Sequence, residues 1–588
     1  MESTSSGRRV RFGQFEIDEK TGELRKDGTK IRLQEQPLQI LQILLEHPGK
    51  VITREELKKR IWPSDTFVDF DHGINNAIKR LREALADTAE TPRYIETLPR
   101  RGYRFIAATD LTARATASSI QSLAVLPLEN LSRDPEQEYF ADGLTEALIT
   151  SLAKISALRV VSRTTAMHYK GIHRPLPEIA RELQVDGVVE GTVQRSGERV
   201  RISAQLLEAR SDTHLWAESY ERNLRDVLEL QSEVARAIAK EIQVKLTPQE
   251  QRQLAGHPVN AEAYEAYLKA RYHWNKVNPN AMSRAVEYFQ QAIAKDPSYA
   301  AAYTGLADCS SRLGWWGYVS PDRGFCAGKA AAQKAVEMDA ALAEAHGSLA
   351  WAIMHSDCDS IAAENEFQRA FELNPNYATV THFFAACLMV MGKWDESIAE
   401  IKRVLRLDPL SLLVNMTAAL ILCFAGRFDE SIEYSRKALE LDPTFAGARW
   451  ALGFAYQGKK MYELAVSELQ KAIQLSDGHA LFIFALGHIY ASAGKRDEAL
   501  TTIDELNELS KCRYVMPYWI ACIYAGLHEK DEAFRWLERA YDERSSWLVY
   551  TRVAPYLDNV RSDPRFQDLL RRMNFPHAVP STATIRHF

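Results

Sequence analysis

Cysteine is scarce in this 588-residue chain: seven residues, scattered singly through the second half, with no CxxC pair and no metal-ligand spacing. That pattern excludes a disulfide framework and a zinc ribbon, and leaves the thiols as small apolar groups suited to a reducing compartment. Long apolar runs are missing too. No stretch reaches the roughly 18–20 residues a bilayer span needs, and the opening MESTSSGRRVRFGQF holds no apolar leader core. A cytoplasmic protein with no membrane partner is expected. The chain also lacks a phosphate loop, a nucleophile paired with a base and a convincing pair of carboxylates. No catalytic residue, cofactor site or metal site is therefore expected, and no enzyme.

What is present is ordinary globular composition, 46% hydrophobic and 26% charged, in a chain too long for the one core that serves up to roughly 250–300 residues. The net charge of −5 hides an asymmetry: residues 1–107 carry 20 Lys/Arg against 17 Asp/Glu, and the remainder is acidic.

Polar and apolar residues alternate through Val10, Phe12, Phe15 and Ile17, with turns at Thr21-Gly22 and Asp27-Gly28, as in short antiparallel strands. From Pro37 the spacing becomes helical and stops at His47-Pro48-Gly49. Thr53 with Glu56 three residues later forms a capping box for a second helix that runs to Pro63. After an Asp-rich loop, Ile74 to Ala86 read as a helix with Ile74, Ile78, Leu81 and Leu85 on one buried face. The adjoining and opposite positions hold Asn75, Asn76, Lys79, Arg80 and Arg82. Amide and guanidinium groups can pair with base edges, and the cations can neutralise phosphates. Two short strands follow, around a turn carrying Arg100, Arg101, Tyr103 and Arg104.

The order sheet, HPGKVIT, REELKKRIWP, INNAIKRLREAL, YIETLPRRGYRF resembles the OmpR/PhoB-type winged helix over residues 10–107. The resemblance implies that the Ile74–Ala86 helix enters the major groove of double-stranded DNA and that Arg100, Arg101, Tyr103 and Arg104 form the wing. It also implies that the Pro63–Gly73 loop touches RNA polymerase.

A polar linker, 108–120, leads to an α/β pattern over 121–250. Strands are expected at Leu123–Leu128, Leu158–Ser162, Gly187–Gln194 and Val200–Leu207, and helices at Gly143–Ile155, Pro177–Leu183 and Leu224–Val244. The run from VLPLENLS to LWAESYER resembles a TolB amino-terminal type of domain.

From residue 260 a 34-residue period takes over. Pro375, Pro409 and Pro443 keep it, as do the acids Asp395, Asp429, Glu463, Asp497 and Asp531 and the small residues Ser397, Ser431, Ala465, Ala499 and Ala533 two positions on. This resembles the tetratricopeptide repeat, copied seven or eight times over 260–575, with an insertion around Gly314–Gly324 and a terminal cap from Trp547. Stacked helix pairs make a solenoid whose groove suits a protein partner; Trp315-Trp316 in the insertion reads as packing.

The expected architecture is multidomain α/β plus all-α: a winged helix-turn-helix, a small α/β domain and an α-solenoid. The function expected of it is sequence-specific transcription regulation with a protein signal received by the repeats. Two alternatives stand beside this reading: a scaffold whose winged helix binds protein, and a regulated enzyme with its activity in the middle domain.

Overall fold

The computed structural model describes residues 9–573 apart from 19–22, 27, 47–49, 63–69, 90–91, 99–100, 108–119, 133, 173, 210–212, 243, 245, 255–258 and 277. The chain forms two units, Met1–Ser119 and Ile120–Phe588.

In the first unit, β1 (Arg9–Phe12), β2 (Phe15–Asp18), β3 (Leu24–Lys26) and β4 (Thr29–Ile31) make an antiparallel meander. The alternation buries Val10, Phe12, Phe15, Ile17 and Leu24. Next come α1 (Glu35–Glu46), β5 (Val51–Thr53), α2 (Arg54–Ile61), α3 (Phe70–Leu85) and the hairpin β6 (Ile95–Leu98) and β7 (Gly102–Phe105), whose second strand pairs with β5. The capping box of α2 is formed: the Glu56 N–H donates to Thr53 Oγ1 at 3.2 Å, and the Thr53 N–H donates to Glu56 Oε2 at 2.8 Å. The stop signal at 47–49 lies outside the described residues, as do 63–69 of the Pro63–Gly73 loop.

Residues 70–73 are not loop but the first turn of α3, which starts four residues earlier than its sequence pattern suggested. Phe70 packs edge-on against Trp62 at 5.7 Å, and the Lys58 ammonium sits 4.1 Å from the Phe70 ring centre. Those tertiary contacts offset the helix cost of Gly73. At the other end Ala86, expected inside the helix, adopts φ 52° and terminates it.

The second unit opens with a mixed sheet. Its strands are β8 (Ser122–Val125), β9 (Glu129–Asn130), β10 (Arg159–Val160), β11 (Gly187–Ser196), β12 (Arg199–Glu208) and β13 (Thr213–Asn223). The order is β10-β8-β11-β12-β13, with β9 also on β11; β8 runs parallel to β10 and β11, and β11-β12-β13 is antiparallel. Helices α4 (Glu138–Ala153) and α5 (Val227–Glu241) pack together over its apolar core. The strand expected over Leu158–Ser162 is cut to two residues. β13 had no sequence expectation, because most of its side chains are exposed or half-buried and carry no apolar alternation.

Eight helix pairs follow among the described residues, from Ala261–Trp274 with Pro279–Lys295 to Pro517–Gly526 with Lys530–Asp542. Ser397, Ser431, Ala465, Ala499 and Ala533 are fully buried where the two helices of a pair meet. The Ser397 and Ser431 hydroxyls donate to the Ala385 and Ala419 carbonyls of the preceding helix, each at 2.7 Å.

This array does not simply trail behind the sheet domain. Arg271 of the first pair donates from Nε to Glu146 of α4 at 2.7 Å, and Asn376 Nδ2 reaches the carbonyls of Ile155, Ser156 and Leu158 at 3.2–3.4 Å. The array also crosses its own interior. Trp315 Nε1 donates to the Tyr550 hydroxyl at 2.9 Å, and Trp547 Nε1 donates to the Trp315 carbonyl at 2.8 Å. Gly317, at φ 75°, passes so close to Trp519 that a Cβ would stand 2.5 Å from its ring. Trp315-Trp316 therefore pack, as expected.

Candidate nucleic-acid interface

The amphipathic spacing of α3 fixes which side of it faces out. Ile74, Ile78, Leu81 and Leu85 are at most 2% exposed, joined by Ala77, and they bury against α1 and the hairpin core. Asn75, Asn76, Lys79 and Arg80 are consequently exposed, within two turns of one helix. Arg80 donates to the Gln34 side chain just before α1.

Three of the sequence-selected residues also have work inside the domain. Arg82 is half-buried, and its Nη2 donates to the Ile95 carbonyl at 2.7 Å and to Thr97 Oγ1 at 2.8 Å, tying α3 to β6. Tyr103 is 2% exposed, and its hydroxyl donates to Asn75 Oδ1 at 2.9 Å. Arg104 pairs with Glu96 across the hairpin at 2.8 Å. Arg101 is exposed at the hairpin turn, whereas Arg100 lies outside the described residues.

Sequence reasoning missed Arg54. Its Nη2 donates at 2.9 Å both to Asn75 Oδ1 and to the Tyr103 hydroxyl, and its guanidinium carbon lies 5.3 Å from the Tyr103 ring centre. The signal was available: a cation at the first position of a helix opposes the macrodipole and asks for another reason to be there. With Oδ1 of Asn75 occupied by two donors, its amide NH₂ is turned the other way. Asp87 fixes the hairpin from below, accepting from the Arg93, Tyr94 and Ile95 N–H groups at 2.6, 3.1 and 2.8 Å. Gly102 has no alternative: at φ 150°, a Cβ there would stand 2.0 Å from the Ile52 carbonyl oxygen of β5.

The second unit offers a different surface from the open groove expected of a solenoid. Tyr550 and Tyr556 stack or edge against Phe424, Phe454, Phe484 and His488, all from first helices of their pairs, and Trp547 lies against Trp450 and Trp519. The segment around 547–556 thus fills the inner face of the later repeats. Among the described residues no cluster of potential metal ligands occurs, and no helix is long and apolar enough to cross a membrane.

Comparison with known proteins matches three parts of the chain. The model of the C-terminal domain of transcriptional regulatory proteins matches residues 28–105, and that of the second domain of HilA/YgeH-like transcriptional regulators matches 118–237. The tetratricopeptide repeat model matches 414–445 and 446–479. The Rhizobium meliloti protein named "Putative adenylate cyclase 3" is 37% identical over 235 residues, 40% of each chain. The transcriptional regulator HilA of Salmonella typhi is 23% identical over 386 residues, 65% of this chain and 67% of HilA. The chain thus spans two fifths of the first relative's length and about two thirds of the second's. The Klebsiella pneumoniae RstA DNA-binding domain, solved in complex with RstA box, is 29% identical and covers 17% of this chain and 97% of its own, with a TM-score of 0.16. The chain accordingly carries the winged-helix domain of transcriptional regulatory proteins, the second domain of HilA/YgeH-like regulators and tetratricopeptide repeats.

Proposed function

We propose that the protein is a sequence-specific, DNA-binding transcriptional regulator acting in the cytoplasm. The observation that carries this is the outer face of α3. Asn76, Lys79 and Arg80 stand exposed on a helix whose other face is locked into a core, beside an exposed Arg101 on a hairpin. A helix of that kind reads base edges in the major groove while neighbouring cations hold phosphates. In this reading Arg54 and Tyr103 orient Asn75, and Arg82 and Arg104 hold α3 and the hairpin in register.

RNA polymerase is the proposed partner of the 63–73 segment, and a protein signal reaches the second unit. Because the inner face of the later repeats is filled by Trp547, Tyr550 and Tyr556, that signal docks on the outer faces or displaces the 547–556 segment. The kinship of 121–250 with TolB-type domains belongs to the same proposal and assigns it an assembly role.

Selection of bound sequences from a random duplex pool by the full chain, followed by a salt titration on the winner, tests the reading. A defined motif and a steep loss of affinity with salt are expected. Absence of enrichment would favour the scaffold. The name of the Rhizobium relative favours a catalytic second reading, which turnover of ATP by the purified chain would support.

A further inference from the structure

Between α4, α5 and the first four helix pairs lies a cavity of about 1040 Å³. Its walls are rich in aromatic hydroxyls: Tyr267, Tyr299 and Tyr377 all line it, with the Tyr267 and Tyr299 ring centres 5.2 Å apart. Its charges are unevenly committed. Arg271 is taken up by Glu146, which also pairs with Arg163 at 3.1 Å. Asp308 and Glu344, by contrast, have no cation within ion-pair distance among the described residues; Asp308 accepts only a hydroxyl hydrogen bond, from Ser348 at 2.5 Å. Asn374, 1% exposed, also lines the cavity and leaves its Nδ2 donor without a partner.

A buried carboxylate without a counter-ion, as at Asp308, is costly; the half-buried Glu344 lies close enough to raise that cost, and tyrosine faces attract cations. We propose that this cavity is an effector site for a small organic amine. The ammonium lies against Asp308 and Glu344 among the three tyrosine rings, and an acceptor atom of the ligand meets Asn374 Nδ2. Burial pushes the Asp308 carboxyl up to about 6 even with Arg271 and Arg312 acting on it. Because the walls come from both the sheet domain and the repeats, an occupant bridges the two. Volume points the same way: pockets of this size enclose drug-sized molecules.

The test is calorimetric titration of the full chain with choline, phenethylamine and putrescine, and with phenylethanol and phenylacetate as neutral and anionic counterparts. At least one amine is expected to bind at one site per chain, with its neutral or acidic counterpart at least tenfold weaker. Glu344→Gln should weaken that amine about tenfold with no change in the melting curve, and Tyr377→Ala more than Tyr377→Phe. Binding of phenylacetate in preference to phenethylamine, no binding by any of the amines, or an unchanged affinity in Glu344→Gln would each overturn the proposal.

Discussion

Thr165 and Asp408 are separated by 243 residues, yet the threonine hydroxyl donates to the aspartate carboxylate at 2.9 Å. The same hydroxyl oxygen accepts from the Leu410 N–H at 3.1 Å, and the Ser162 N–H donates to the Leu407 carbonyl at 2.9 Å. The sheet domain therefore docks onto the turn between the fourth and fifth repeat pairs. Asp408→Ala leaves buried donors unpaired, at a cost of about 1–3 kcal/mol. Chemical denaturation of the 120–573 fragment should show that loss, and an unchanged midpoint would remove the docking from the stability of this unit.

On α3, surface and core substitutions separate cleanly. Lys79→Ala should abolish specific binding to the selected duplex and leave the melting temperature of the first unit unchanged. Leu81→Ala, at a wholly buried position, should cost ~2–5 kcal/mol as a core truncation. Thermal melts and mobility shifts on the two variants check both; a stable Leu81→Ala protein contradicts the assigned face.

Two arginines that the sequence assigns to one DNA-binding face part company in the structure. Arg101→Ala should lower affinity across all sequences and reduce the salt slope by roughly one, as a lost phosphate contact does, without loss of stability. Arg82→Ala, whose guanidinium spans α3 and β6, should instead destabilise the first unit by about 1–3 kcal/mol and leave the slope alone. The diagnostic measurement is the slope of log affinity against log salt for each variant.

Acid should weaken the second unit. Burial lowers His355 to about 3 and His382, His479 and His488 to about 4. These groups stay neutral when folded and take up protons on unfolding below the ordinary value of about 6.5. The unfolded state then binds more protons, so stability falls as pH drops from 7 towards 4. Asp308, raised to about 6, opposes this over part of the window, and His346, raised by Glu366, favours the folded state at low pH. Burial also lowers His273 and raises Asp142 and Asp408; the five lowered histidines predict a lower melting temperature at pH 5 than at pH 7, and a flat profile would mean that these histidines titrate normally.

The regular parts of the fold were legible because they repeat a pattern. The period of 34 located the buried small residues, and the 3.6-residue stripe located the inner face of α3. What was not legible depends on distant partners. The start of α3 is set by Trp62 and Lys58, and the roles of Arg54, Arg82 and Tyr103 follow from hydrogen bonds that span the first unit. The filled inner face of the repeats comes from residues 547–556, whose aromatic side chains look in sequence like any cap. β13 carries no period because it lies at the sheet edge.

The contacts of Trp315 with Trp547 and Tyr550, 232 and 235 residues further on, change how the array must unfold. A linear stack of repeats touches only its nearest neighbours, so its ends fray and its stability grows step by step with length. Here the second pair is hydrogen-bonded to the residues that follow the eighth, a contact that bypasses the pairs between them. Pairs two to eight are therefore expected to unfold in one transition, and hydrogen exchange should find the eighth pair as protected as the fifth.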